Sequence, residues 1–151
     1  CAAIKNIFSM AIGASQGLCH PTASTKKKLE NYLNTAASLL QESIYEMIIF
    51  TEKLKGKKET VIGLAGAGDL YVSVKGGRNS KLGQYLGEGM TFKEAKKTKM
   101  PNETIEGADL ALTIGNKFKN DFDKNQLPLM SSMINAICDE KPLIINWNFF
   151  K

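Results

Sequence analysis

Between Ser24 and Leu54, the apolar residues Leu29, Leu33, Ala36, Ala37, Leu40, Ile44, Met47 and Ile48 return every three or four positions. That spacing puts them on one face of a helix; a strand, whose faces alternate every second residue, does not produce it. A helix with a single apolar stripe must be covered by other elements. Asn34-Thr35 also offers a cap for a second helix inside the stretch, so it reads as one helix or two. Gly56 lies just past the end as a candidate C-cap.

The rest of the chain repeats this period. Cys1 to Gln16 reads as a packed helix, broken after it by Gly17, His20 and Pro21. Glu59 to Val74 is rich in Gly and Ala, and the spacing of Ile62, Ala65, Leu70 and Val74 fits a closely packed helix interrupted by glycines. Thr91-Phe92-Lys93-Glu94 is a capping-box pattern. Thr104 to Phe118 reads as another helix, and Pro128 to Asp139 as a further one with Pro at its start. The apolar tail from Pro142 to Phe150 is expected to dock on the body. The expectation is an all-α single domain over residues 1–151, with about six to eight helices and no βαβ alternation or internal repeat.

Bulk properties narrow the function. The 151 residues, 43% hydrophobic and 23% charged, suit one globular domain. No apolar run reaches the roughly 18 to 20 residues that a membrane span requires, and no signal-peptide pattern is present. Cys1, Cys19 and Cys138 form no C-x-x-C pair and read as buried reduced thiols, which points to the cytoplasm. The net charge of +5 comes largely from lysines in polar stretches with few aromatics among them, as in Lys26-Lys27-Lys28 and Lys96-Lys97. Solvated faces account for that pattern better than nucleic-acid binding. The single His20 leaves no Ser-His-Asp or His-rich metal constellation, so no metal is expected. Gly63-Leu64-Ala65-Gly66-Ala67-Gly68 has its glycines in the wrong order for a dinucleotide-binding loop. The chain starts inside an apolar helix without a polar lead-in, so it is expected to be a fragment.

Three clusters have chemical potential. Lys5, among Ala3, Ile4, Ile7 and Phe8, either snorkels to water or sits in a polar pocket where proton exchange is eased. Asp69 closes a run of small residues that lets a ligand or another backbone come close; tight helix packing, with Asp69 as a cap, is the alternative. Gly76-Gly77-Arg78-Asn79, leading into a helix, makes a plausible anion seat or a basic surface turn.

Together, C-A-A-I-K-N-I, G-L-A-G-A-G-D-L, G-G-R-N-S-K-L-G and T-I-E-G resemble, in this order, the C-terminal domain of bacterial-type glycerol-3-phosphate dehydrogenases. The resemblance implies a helical substrate-binding domain that comes after an N-terminal Rossmann domain absent from this chain, with the active site between the two. It implies Lys5 as catalytic proton donor or acceptor, and Lys5, Asp69, Gly77, Arg78 and Asn79 as ligands of glycerol 3-phosphate or dihydroxyacetone phosphate. Arg78, Thr104 and Glu106 would reach the cofactor, NAD or NADP, held mainly by the missing domain. The reaction implied is reversible hydride transfer at C2, with the product feeding phospholipid synthesis, and the resemblance leaves room for a homodimer. The chain departs from the family in about ten extra residues around Ala23 to Leu33 and in Ala36, where the family has a lysine. The rival reading is a non-catalytic helical module that binds partners or nucleic acid through its lysine-rich face.

Overall fold

The computed structural model describes residues 2–19 and 25–150, apart from the side chains of residues 25–31 and 149. The expected break at His20 and Pro21, and the Ala23 end of the extra stretch, lie outside the described residues. The described residues form eight α-helices and no strand: α1 (Lys5–Leu18), α2 (Thr25–Lys53), α3 (Lys58–Ile62), α4 (Asp69–Val74), α5 (Arg78–Gly87), α6 (Phe92–Thr98), α7 (Glu106–Asp121) and α8 (Pro128–Cys138). A π-helical turn, Leu64–Gly68, joins α3 to α4.

α1 is the central element. Ile7, Phe8, Met10, Ala11, Ile12 and Ala14 are all buried, and α2, α4, α5, α7 and α8 pack around it. Its partner across the closest contact is α5, and glycines on both helices make that contact. A Cβ built on Gly83 would lie 1.8 Å from the carbonyl oxygen of Met10, and one on Gly87 2.3 Å from that of Ala14. From the other side, a Cβ on Gly13 would lie 2.2 Å from the Ser80 carbonyl oxygen, and one on Gly17 2.3 Å from that of Gln84. Each is far inside van der Waals contact, so the two backbones touch only because these side chains are missing.

α2 is one helix, with no boundary at Asn34-Thr35. Its buried face is rotated from the apolar stripe. Leu33 is 56% exposed and Ala37 is exposed, whereas Leu39, Met47 and three polar residues, Glu42, Ser43 and Glu46, are buried. The reason lies across the core in α8. Its first position is Pro128, which has no N–H, and the next two amides, of Leu129 and Met130, donate to Glu46 Oε1 and Oε2 at 2.5 and 2.8 Å. A carboxyl group there satisfies two donors that the helix cannot. It turns inward a face that a hydrophobicity pattern assigns to solvent.

The end of α2 also differs from expectation. The left-handed residue is Lys55, at φ 62°, and not Gly56. Lys55 N–H donates to Glu52 O at 2.9 Å and Gly56 N–H to Thr51 O at 2.8 Å, the paired bonds of a Schellman termination set one residue early. The capping box of α6 forms as expected: Glu94 N–H donates to Thr91 Oγ1, and Thr91 N–H donates to Glu94 Oε2. In the tail, Leu143 and Ile145 are buried while Ile144 and Trp147 stay exposed, so docking is by alternate residues. Cys19 and Cys138 are free thiols, half-buried rather than buried. No helix among the described residues is long and apolar enough to cross a membrane.

Candidate active site

The glycine run before Asp69 becomes the π-helical turn, with Gly68 N–H donating to Gly63 O across five residues at 3.3 Å. The wide turn depends on Gly66, where a Cβ would meet the Val61 carbonyl oxygen at 2.0 Å. Such turns break the phase of a helix and re-aim the residues beyond them. Here the turn aims α4 so that Asp69 and Ser73, one helical turn apart, both face Lys5.

Lys5 Nζ forms an ion pair with Asp69 Oδ2 and donates a hydrogen bond to Ser73 Oγ at 3.1 Å. Ser73 in turn donates to the Asp69 carbonyl oxygen at 2.8 Å. The lysine side chain is 14% exposed and the aspartate 45%, so the pair lies at the edge of the core with one side open. Of the two sequence readings of Lys5, the polar pocket holds. The N-cap of α4 is Gly68 and not Asp69, whose carboxylate is paired with the lysine.

The second cluster stands at the starts of α5 and α7. Gly76 takes φ 136°, a conformation closed to most side chains, and Gly77 comes next as the N-cap of α5. Arg78 and Asn79 are the first two residues of that helix. Arg78 pairs with Glu106 Oε1 at 2.5 Å, both side chains about half exposed. Asn79 is 8% exposed; its Oδ1 accepts from Gly107 N–H at 2.8 Å, and its Nδ2 approaches Glu106 Oε2 at 3.5 Å. Thr104 is exposed in the loop before α7.

Gly107 makes these two clusters neighbours. A Cβ on it would lie 2.6 Å from the carbonyl oxygen of Asn6, next to Lys5, and 2.8 Å from Asn79 Oδ1. Its bare α-carbon lets α1, α5 and α7 meet at one point, the lysine pocket on one side and the arginine pair on the other. The structure therefore brings together Lys5 with Asp69, and Arg78 with Asn79 and Glu106; Thr104 makes no side-chain bond among the described residues. Sequence reading missed Ser73 and Gly107. Ser73 sits four residues after Asp69, a spacing that places both on one helical face, and that signal was available. Among the described residues, no group of three or more His, Cys, Asp or Glu side chains could hold a metal ion.

Residues 1–145 match the family described as the NAD-dependent glycerol-3-phosphate dehydrogenase C-terminus. The chain is a member of that family. It is 30% identical over 142 residues to the glycerol-3-phosphate dehydrogenase [NAD(P)+] of Agathobacter rectalis, covering 92% of this chain and 38% of that protein. It is 38% identical over 93 residues to the NADP(+)-dependent glycerol-3-phosphate dehydrogenase of Archaeoglobus fulgidus, covering 62% of this chain and 26% of the relative. The chain thus spans less than two fifths of the length of these dehydrogenases. In fold it resembles the solved glycerol-3-phosphate dehydrogenase of Saccharomyces cerevisiae, at a TM-score of 0.73 and 19% identity, over 93% of this chain and 38% of that one. A second solved dehydrogenase, from Dunaliella salina, gives a TM-score of 0.67 at 21% identity, over 92% of this chain and 23% of that one.

Proposed function

We propose that this chain is the substrate-binding half, with the catalytic lysine, of a cytoplasmic enzyme that interconverts sn-glycerol 3-phosphate and dihydroxyacetone phosphate, supplying glycerol 3-phosphate for phospholipid synthesis. The observation that carries this reading is the Lys5–Asp69–Ser73 pocket beside the Arg78 rim, because the two halves of a phosphorylated ketone need different partners. The phosphate needs a planar donor fork, which Arg78 provides at the start of α5. The carbonyl oxygen needs a positive group that can deliver a proton as charge develops on it, and Lys5 is such a group, aimed by Asp69 and Ser73. Asp69, 45% exposed, keeps a free face toward hydroxyl groups of the substrate.

The nicotinamide cofactor, held mainly by an N-terminal dinucleotide-binding domain, supplies or takes the hydride at C2. What this chain offers that cofactor fits a rim contact: a carboxylate at Glu106 that accepts from hydroxyls, a guanidinium at Arg78 that donates to phosphate, and the exposed Thr104 hydroxyl. In the reducing direction, Lys5 gives its proton to the C2 oxygen and returns to the ammonium form from solvent across its open side. Its charge meanwhile stabilises the developing alkoxide.

The test is steady-state kinetics of the longer chain that contains these residues, with dihydroxyacetone phosphate and each reduced nicotinamide. Lys5→Ala is expected to lower kcat by on the order of 100-fold or more, the scale of lost general acid–base and oxyanion stabilisation. Near-normal kcat in that variant would remove Lys5 from the mechanism, and no turnover by the parent chain with either nicotinamide would remove the reaction.

A further inference from the structure

We infer that Glu106 is an internal competitor for the anion that Arg78 binds: its carboxylate pairs with one guanidinium nitrogen, Nη2, and competes with a phosphate for it. The inference rests on the assignment of Arg78 as a phosphate ligand.

The geometry is that of a stand-in. One carboxylate reaches both donors of the anion seat, Oε1 to Arg78 at 2.5 Å and Oε2 toward Asn79 Nδ2 at 3.5 Å. The orientation of Asn79 is fixed by its other end. Gly107 N–H is a donor and can pair only with Oδ1, so Nδ2 is left facing Glu106. A phosphate approaching the start of α5 needs these same two donors and meets a negative charge already there. Glu106 is the first residue of α7, and the next residue, Gly107, is pinned between Asn6 and Asn79. The backbone under Glu106 is therefore held while its side chain, 46% exposed, is able to swing into solvent.

The contact is weak enough to yield. Half-exposed ion pairs contribute little in water, so Glu106 biases the seat and does not block it. A ligand that takes up Glu106 through its own hydroxyl groups releases Arg78 and raises phosphate affinity. By reciprocity, phosphate raises the affinity of that ligand by the same factor.

The experiment is titration of the chain with inorganic phosphate at low ionic strength, in the parent, Glu106→Gln, Arg78→Ala and the double variant. Glu106→Gln is expected to bind phosphate roughly three- to tenfold more tightly, a gain that shrinks with added salt. Arg78→Ala is expected to weaken binding in both backgrounds and to abolish the gain. Glu106→Asp, which keeps the charge and shortens the reach, is expected to fall between parent and Gln, and it decides the matter if the Gln variant does not fold. Unchanged or weaker phosphate binding in Glu106→Gln, with Arg78→Ala still losing binding, overturns the competitor role and leaves the seat standing. If Arg78→Ala changes nothing in either background, both the seat and the competitor fall.

Discussion

The two ends of α1 are built on opposite rules. From Met10 to Gly17 the helix lies against α5 with backbone on backbone, spaced by Gly13, Gly17, Gly83 and Gly87. At Lys5 the same helix meets α4 through an ammonium, a carboxylate and a hydroxyl near the surface, and at Asn6 its carbonyl oxygen lies against the bare α-carbon of Gly107 in α7. One end is set by main-chain contact between two helices, and the other adds to such contact an ion pair and a hydroxyl that can titrate and rotate. The contrast shows how the helical scaffold holds a lysine at the edge of its core: main-chain contact behind the site fixes the helix, and the side chains in front stay open on one side.

The largest effect should come from the dry end. Gly83→Ala adds one methyl 1.8 Å from the Met10 carbonyl, where the obstacle is backbone and cannot rotate away. The helices must part, and the expected loss is about 3 kcal/mol, at the upper end of overpacking costs. Chemical denaturation measures it; a loss under about 1 kcal/mol would show that the crossing is loose and would break the contrast.

Next comes the wet end, where shape of charge should matter more than its amount. Arg78→Lys keeps the charge and loses the fork, and should lower kcat/KM of the longer chain by roughly 10- to 150-fold, equivalent to about 1.5 to 3 kcal/mol. Lys81→Ala, three positions along, removes a charge and should be much milder. If the order of the two variants were reversed, Arg78 would be part of a diffuse basic face.

A third test concerns the polar group inside the scaffold. Burial pushes Glu46 up to about 8 from an ordinary 4.5, against the pull of the Met130 and Leu129 amides, with the neighbouring Glu42 adding to the rise. The folded chain then holds a proton between these values that the unfolded chain has released. Stability should fall as pH rises from about 4.5 to about 8, by about 1 kcal/mol between pH 6 and 7. Glu46→Gln, which cannot ionise, should remove that slope. Melting curves of the two proteins across this range decide it, and parallel slopes would mean that Glu46 is ionised in the fold.

The smallest effect sharpens a detail. Lys55→Gly relieves a side chain held at φ 62° at the end of α2 and should stabilise the chain by about 0.5 to 1 kcal/mol. A destabilised variant would mean that the lysine side chain contributes more than its backbone costs.

How much of the structure was legible in the sequence depends on how local each signal is. The capping box of α6 and the proline that opens α8 are complete within four residues, and both form at the positions expected. The helical period of the long stretch gives α2 its existence, but not the rotation of its face, because Glu46 is buried to serve amides 83 and 84 residues away. In the candidate site, Lys5, Asp69, Arg78 and Asn79 stood out as chemistry set among apolar or glycine-rich neighbours. Ser73 did not, because a serine one turn beyond Asp69 acquires a role only through its partner, and that partner, Lys5, is 68 residues distant. Gly107 was one letter of a weak motif, and its role appears only where three helices converge on a missing methyl group.

The glycine crossing of α1 and α5 has a consequence for anyone redesigning this domain. A spacing set by main-chain atoms does not depend on which apolar residues fill the opposite face of α1. Phe8 and Ile12 can be exchanged for other hydrophobic residues of similar volume while the separation between the Met10 carbonyl and Gly83 stays as it is. The position of Lys5 over Asp69 is thereby uncoupled from the composition of the core, so the interior can be rewritten layer by layer around a pocket whose coordinates stay put.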